Sequence, residues 1–152
     1  MLEEGKMIVV DATDQILGRM ASKIAKILLD GETVAVVNPE RAIITGDPRK
    51  IYEKYKVRFD LSRNVNPTKG PFYPRTPDRI VSRTVRGMLP WSKPRGKEAF
   101  RRLRVYRGTP EDFSETEKVR FEEASVDRLG RGRYTSVGEI SMALGVKKEA
   151  VM

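Results

Sequence analysis

Apolar residues fall along this chain in short clusters, and their spacing changes from one segment to the next. Met7-Ile8-Val9-Val10-Asp11 is a nearly continuous apolar run closed by Ala12-Thr13-Asp14, which predicts a buried strand followed by a turn. Over 17–29, Leu17, Met20, Ala21, Ile24, Ala25, Ile27 and Leu28 recur at helical spacing and Asp30-Gly31 supplies a stop, so this segment reads as an amphipathic helix. Thr33 to Val37 is a second β-branched run, and Ala42-Ile43-Ile44-Thr45 is a third. Asp47 before Pro48 reads as an N-cap and first helical residue, leading a helix with Ile51, Tyr52 and Tyr55 on one side. Strand, helix, strand, strand, helix, with strands of the buried type, predicts an α/β domain around a largely parallel sheet.

The pattern stops between 60 and 77. Asn64, Asn66, Pro67, Gly70, Pro71, Pro74 and Pro77 disfavour regular structure, so a long loop is expected, one whose Phe72 and Tyr73 favour ordering on a partner. Thr76-Pro77-Asp78 opens the next helix, expected to run to about residue 89. At ~100° per residue, Arg79, Arg83 and Arg86 lie within about 40° of one direction, with Val81, Val85 and Met88 opposite. A second helix over 97–104 repeats the arrangement, with Lys97, Arg101 and Arg104 on one face and Ala99 and Leu103 on the other. Between them, Pro90-Trp91-Ser92-Lys93-Pro94-Arg95-Gly96 reads as a rigid basic turn.

Residues 108–127 read as a solvated acidic linker, and Ser136 with Glu139 as a capping box opening a last short helix. Gly18 and Gly46 stand alone, outside any phosphate-binding glycine motif, and read as local geometry at a helix start and a strand-to-helix turn. Gly130-Arg131-Gly132-Arg133 is a basic turn that could meet phosphate or serve only the chain's path. Asp11 ends the first strand, where α/β enzymes keep catalytic acids, but no second acid or base can be assigned to it and turn capping is the favoured reading.

Charge is distributed very unevenly along the chain. Residues 63–107 contain 13 Lys and Arg against two acids, Asp78 and Glu98, and so account for the whole net charge of +9. A field this concentrated, with Phe72, Tyr73 and Trp91 interspersed, points to an extended polyanion. The chain contains neither Cys nor His, which removes disulfides, Cys/His zinc sites, thiol nucleophiles and imidazole bases. No apolar run approaches the ~20 residues of a membrane span, and Met1-Leu2-Glu3-Glu4-Gly5-Lys6 does not read as a secretory signal. At 152 residues a single domain is expected, spanning 1–152, with 63–107 as its basic binding segment and 108–152 as a C-terminal extension. The faces opposite the arginines are small and β-branched, suited to packing on protein rather than lipid, and no DNA-reading helix stands out. A Pro-constrained basic loop with aromatics suits folded RNA, whose unpaired bases stack on rings while Arg bridges phosphates.

Several blocks carry a closer resemblance. Arg83-Thr84-Val85-Arg86-Gly87-Met88-Leu89-Pro90, then Lys93-Pro94-Arg95-Gly96-Lys97 and Arg102-Leu103-Arg104-Val105, resemble the signature of the universal ribosomal protein L13 family of the large subunit. Asp11-Ala12 with Leu17-Gly18-Arg19, Val36-Val37-Asn38 with Ile44-Thr45-Gly46, Gly70-Pro71-Phe72 with Arg75-Thr76-Pro77, and Arg133-Tyr134 with Gly138-Glu139-Ile140 follow in the expected order. The form is the archaeal and eukaryotic one, and the modest length resembles an archaeal member. The resemblance implies a three-layer α/β/α fold with a four-stranded, largely parallel sheet, no catalysis and no cofactor. It implies large-subunit rRNA and neighbouring ribosomal proteins as partners, early subunit assembly as the setting, and a cytoplasmic place in the ribosome. No membrane, small-molecule substrate, metal or homo-oligomer is expected. Family members often carry His near the positions of Tyr73 and Trp91, where this chain offers rings without imidazole.

On this reading Arg79, Arg83, Arg86, Lys97, Arg101 and Arg104 neutralise phosphates, Lys69, Arg75, Lys93 and Arg95 enter grooves or junctions, Phe72, Tyr73 or Trp91 stacks, and Arg63 joins the RNA-binding set. Two other readings stay open from sequence. An RNA-modifying enzyme would need an open cofactor cleft near Asp11 and Gly46, and a free messenger-RNA-binding translational regulator would share the same basic surface.

Overall fold

The computed structural model describes residues 7–61, 66 and 68–151. Its centre is a four-stranded sheet built from β1 (Met7–Asp11), β2 (Thr33–Val37), β4 (Leu103–Val105) and β5 (Lys118–Val119), in the order β4-β2-β1-β5 and parallel throughout. Helices flank the sheet in the expected three-layer α/β/α arrangement. Between β1 and β2 runs α1 (Leu17–Leu29); between β2 and β4 come a short antiparallel partner strand β3 (Ile43–Thr45) and the helices α2 (Pro48–Asp60), α3 (Pro77–Gly87) and α4 (Pro94–Arg101).

The two sides of the sheet are covered unequally. Val10, Val34, Val36 and Leu103 join Met20, Ile24 and Leu28 of α1 and Ile80, Val81 and Val85 of α3 in the main core. Complete burial of a side chain such as Ile24 or Leu28 contributes about 1.5–3 kcal/mol. On the reverse side Val9, Ala35 and Val37 are covered by Tyr106 and Phe113, whose rings lie 5.5 Å apart in the segment that crosses from β4 to β5.

Three sequence expectations are corrected. The third β-branched run does not enter the main sheet: Asn38 takes a left-handed φ of 56° and a 3-10 turn at Pro39–Arg41 redirects the chain. There β3 pairs antiparallel with β6 (Tyr134–Ser136). The helix expected over 97–104 begins earlier and ends at Arg101, and 103–105 is strand, so Arg104 is carried on β4 rather than on a helix face shared with Lys97 and Arg101. The acidic segment is no free linker. Its acids face solvent, yet it supplies β5 to the sheet edge and fully buried Ala124 to the core.

The chain closes with α5 (Val137–Ala143) and α6 (Lys148–Val151). The capping box at α5 is present, with Ser136 Oγ accepting from the Glu139 amide at 3.1 Å. Ile140 and Leu144 pack on Ile51, which ties α2 to the body along one line and leaves most of that helix exposed.

Candidate nucleic-acid interface

The basic segment is held by proline-set helix starts and by side chains that pin its loop. Pro77 and Pro94 open α3 and α4 at positions where the missing N–H costs no helical bond. Thr76 is extended as an N-cap should be, but its hydroxyl makes no capping bond. Ahead of α3, residues 71–75 form an extended strap. Arg83 Nη2 donates to the Phe72 carbonyl at 3.0 Å and Ser141 Oγ donates to the Arg75 carbonyl at 2.5 Å, fixing the strap at both ends.

Ile80, Val81 and Val85 are buried under α3, while Arg79 and Arg83 are exposed on the other side as the helical spacing predicts. Met88 departs from the prediction: the helix ends at Gly87, Met88 is 42% exposed, and Leu89 takes the buried place. Arg86 lies half-buried with its guanidinium 4.1 Å from the centre of the Trp91 ring, and Trp91 meets Phe100 edge-on at 5.4 Å. This stack fixes the turn between α3 and α4. The turn is also very tight, since a Cβ on Gly96 would lie 2.2 Å from the Pro90 carbonyl oxygen. Beyond it, Lys93, Arg95, Lys97 and Arg101 are exposed, and Arg104 is exposed on β4, donating to the Arg101 and Leu103 carbonyls at 3.1 Å each.

The remaining predicted residues sit on the strap side. Phe72 is 67% exposed and Tyr73 38%, Lys69 is exposed in the turn before them, and the Arg75 guanidinium lies 4.7 Å from the Phe59 ring. Arg63 lies outside the described residues. Two grooves flank the strap. One of about 240 Å³ is lined by Tyr55 and Arg58 of α2 together with Tyr73, Ile80 and Arg83. The other, of about 360 Å³, lies between Phe72 and Phe100 over Arg79, Ser82 and Arg83. Arg58, Ser82 and Phe100 were not singled out from sequence, and Tyr55 was read only as part of one side of its helix. The balanced charge of residues 1–62 hid Arg58, and only the docking of α2 beside the strap reveals it.

Within 63–107 two arginines serve the fold. Arg102 Nη2 donates to the Leu28 carbonyl at the end of α1 at 2.5 Å, and Arg107 reaches the Ala150 carbonyl at 2.5 Å and the Asp78 carboxylate at 4.0 Å. Among the described residues, Arg107 is the only cation of this segment within 4.0 Å of a carboxylate.

Asp11 occupies the point between β1 and β5 where an open α/β sheet reverses its strand order, the usual place for a cofactor. Arg120 reaches the carboxylate: Nη2 and Nε donate to Asp11 Oδ2 at 2.9 and 3.2 Å. Thr13, through its amide and hydroxyl, and Asn38 donate to Oδ1. Burial pushes the Asp11 carboxyl up, but the bonds from Thr13, Arg120 and Asn38 outweigh it and hold the carboxyl at about 2. The turn-capping role read from sequence is present and extended by the ion pair. The carboxylate an RNA-modifying enzyme would need free at this crevice is thus occupied by an internal ion pair, although a groove of about 270 Å³ stays open beside it along Thr13, Asp14, Gln15 and Arg120. Arg133, from the glycine-arginine turn, pairs with Asp47 at 3.7 Å. Among the described residues no helix is long and apolar enough to cross a membrane, and no cluster of acids could hold a metal.

A paired carboxylate at the end of β1 and a face of cations without acid partners among the described residues define an α/β protein with an electrostatic surface suited to a polyanion. Sequence comparison specifies it further. The chain belongs to the ribosomal protein L13 family, whose model matches residues 5–112. It is 50% identical over 141 residues to the large ribosomal subunit protein uL13 of Haloarcula marismortui, covering 93% of this chain and 92% of that protein. It is 46% identical over 140 residues to uL13 of Archaeoglobus fulgidus, covering 91% and 88%, and 44% identical over 150 residues to uL13 of Sulfolobus acidocaldarius, covering 98% and 100%. These relatives are archaeal, as the resemblance implied, and the family is one of ribosomal proteins, not of enzymes.

Proposed function

We propose that this protein is a structural constituent of the large ribosomal subunit, in the cytoplasm, that binds and organises large-subunit rRNA early in assembly alongside neighbouring ribosomal proteins. The single observation that carries this reading is the run of cations on the strap, α3, the Trp91 turn, α4 and β4 that lack carboxylate partners among the described residues. Unpaired surface cations on a rigid scaffold gain most of their affinity from counterion release on phosphate contact. Fixed spacing between them then selects the fold of the RNA rather than its sequence.

The test is a filter-binding titration of full-length protein on large-subunit rRNA at several salt concentrations. Arg79→Gln with Lys97→Gln removes two exposed cations from different helices, neither of which makes a hydrogen bond or ion pair to protein among the described residues. The slope of log affinity against log salt should fall by about 1.4–1.8, two phosphate contacts at ~0.7–0.9 each. An unchanged slope would remove α3 and α4 from the interface. Persistence on the large subunit through a high-salt wash is the expected cellular counterpart, and release into the soluble fraction would favour a free regulator.

A further inference from the structure

We propose that the groove between the 72–74 strap and α4 is the seat of one unpaired nucleobase, stacked on Phe72 with its flanking phosphates on Arg79 and Arg86. The inference rests on the RNA-binding reading above and assigns this pocket within it. At about 360 Å³ the groove falls in the size range of small-ligand clefts. Its walls include Phe72 and Tyr73 from the strap and Phe100 from α4, and its cations stand on one side, along α3. No acid lines it.

A phosphate alone would need no apolar walls, and an apolar peptide side chain would gain nothing from three guanidinium groups at the rim. A base joined to its phosphates uses both features. Ser82 lies in the floor, and its hydroxyl makes no hydrogen bond to protein among the described residues, which leaves a donor and an acceptor for the edge of the base. The strap is held from both ends by Arg83 and Ser141, so the stacking wall is ordered before RNA arrives.

Geometry also selects among the three aromatics read from sequence. Trp91 has one ring face under Arg86 and meets Phe100 edge-on, so it positions Arg86 rather than receiving a base. Tyr73 is 38% exposed and lies between the two grooves, touching both. Phe72, at 67%, is the ring with an open face.

The experiment is ultraviolet crosslinking of the full-length protein to large-subunit rRNA, with mass spectrometry of the tryptic peptides and a parallel salt titration. A nucleotide should be found on the peptide covering residues 70–75, the one holding Phe72 and Tyr73. Phe72→Ala should abolish that crosslink and weaken binding roughly tenfold while leaving the salt slope unchanged, and Phe72→Tyr should retain both crosslink and affinity. Ser82→Leu, which fills the floor from a half-buried position, should remove the crosslink in the same way. Wild-type protein that binds with a steep salt slope but crosslinks only elsewhere overturns the base seat and leaves the rRNA reading standing. Absence of salt-dependent rRNA binding by the wild type overturns both.

Discussion

Two arginine-bearing regions of this protein use the same side chain in opposite ways. From the strap through α3 and α4 to β4 the guanidinium groups stand on a surface almost without acids, and their contacts are with aromatic rings or backbone carbonyls that leave the charge uncompensated. At the strand ends Arg120 is bound to Asp11, and at the base of the turn regions Arg133 is bound to Asp47. Net charge alone cannot distinguish the two. Uncompensated charge can, because a cation already facing a carboxylate releases few counterions when a phosphate approaches. The distinction predicts that some substitutions of positive residues change stability and others change salt-dependent binding, with little overlap.

The largest expected effect tests whether the basic face depends on the packing beneath it. Gly96→Ala places a methyl against the Pro90 backbone, where no flexible side chain can yield. It should destabilise by about 3 kcal/mol and lower the thermal midpoint by roughly 6–12 °C. Because the turn carries Trp91 and hence Arg86, rRNA affinity of the folded fraction should fall as well. A midpoint within about 2 °C of wild type, the shift of a change of no more than about 1 kcal/mol, would mean that the turn relaxes easily.

Arg101 and Arg102 separate the two uses of arginine within two consecutive residues. Arg102→Met removes a charge-assisted bond to the Leu28 carbonyl from a half-buried site and should cost about 2 kcal/mol while leaving the salt slope of rRNA binding unchanged. Arg101→Gln, on an exposed position, should leave the thermal midpoint unchanged and lower the slope by about 0.7–0.9. Reversed outcomes would sink the assignment of both residues.

Which of these roles was legible in the sequence depends on how many residues carried each signal. The 13 positions of α1 repeat a clear helical period, the five of β2 form an unbroken β-branched and apolar run, and Ser136-Glu139 or Asp47-Pro48 mark helix starts by local chemistry alone. β5 has two residues, Lys118 and Val119, too few for any period, and its place beside β1 is decided by the sheet and not by its own composition. β4 did leave a signal: Arg102-Leu103-Arg104-Val105 alternates polar and apolar, the strand period, but the helical spacing of the preceding basic residues masked it. The charged window identified most of the candidate face. It could not separate Arg102 and Arg107 from their neighbours by composition, nor include Tyr55 and Arg58, since both outcomes depend on which elements pack together.

At Asp11 the comparison becomes a pH dependence. The carboxyl is more acidic in the folded chain, about 2 against an ordinary 3.8, so its bonds stabilise fully above about pH 5 and are lost as pH falls from there through about 2. The whole network contributes about 2 kcal/mol on this basis. Arg120 is half-exposed and supplies only part of it, so Arg120→Met should cost about 1 kcal/mol at pH 7 in urea unfolding. That deficit should narrow as the titration is repeated toward pH 3, because the protonating carboxyl has less attraction to lose. A deficit constant with pH would mean that Arg120 acts by packing and not by charge.

The smallest effect comes from a pair that resembles Asp11–Arg120 on paper. Lys23 and Glu123 are in direct contact, and the Lys23 hydrogen bond lowers the Glu123 carboxyl from its ordinary range. Both side chains nevertheless face solvent, at 42% and 71% exposure, where water competes for each charge and ordering two flexible chains offsets the attraction. Lys23 also lies on α1, away from the strap and α4 grooves. Lys23→Gln should therefore leave the thermal midpoint indistinguishable from that of the wild type, and the salt slope of rRNA binding unchanged. A reduced slope would extend the RNA-facing surface onto α1; a lowered midpoint would mean that an exposed pair here carries the kind of stabilisation assigned above to the enclosed carboxylate of Asp11.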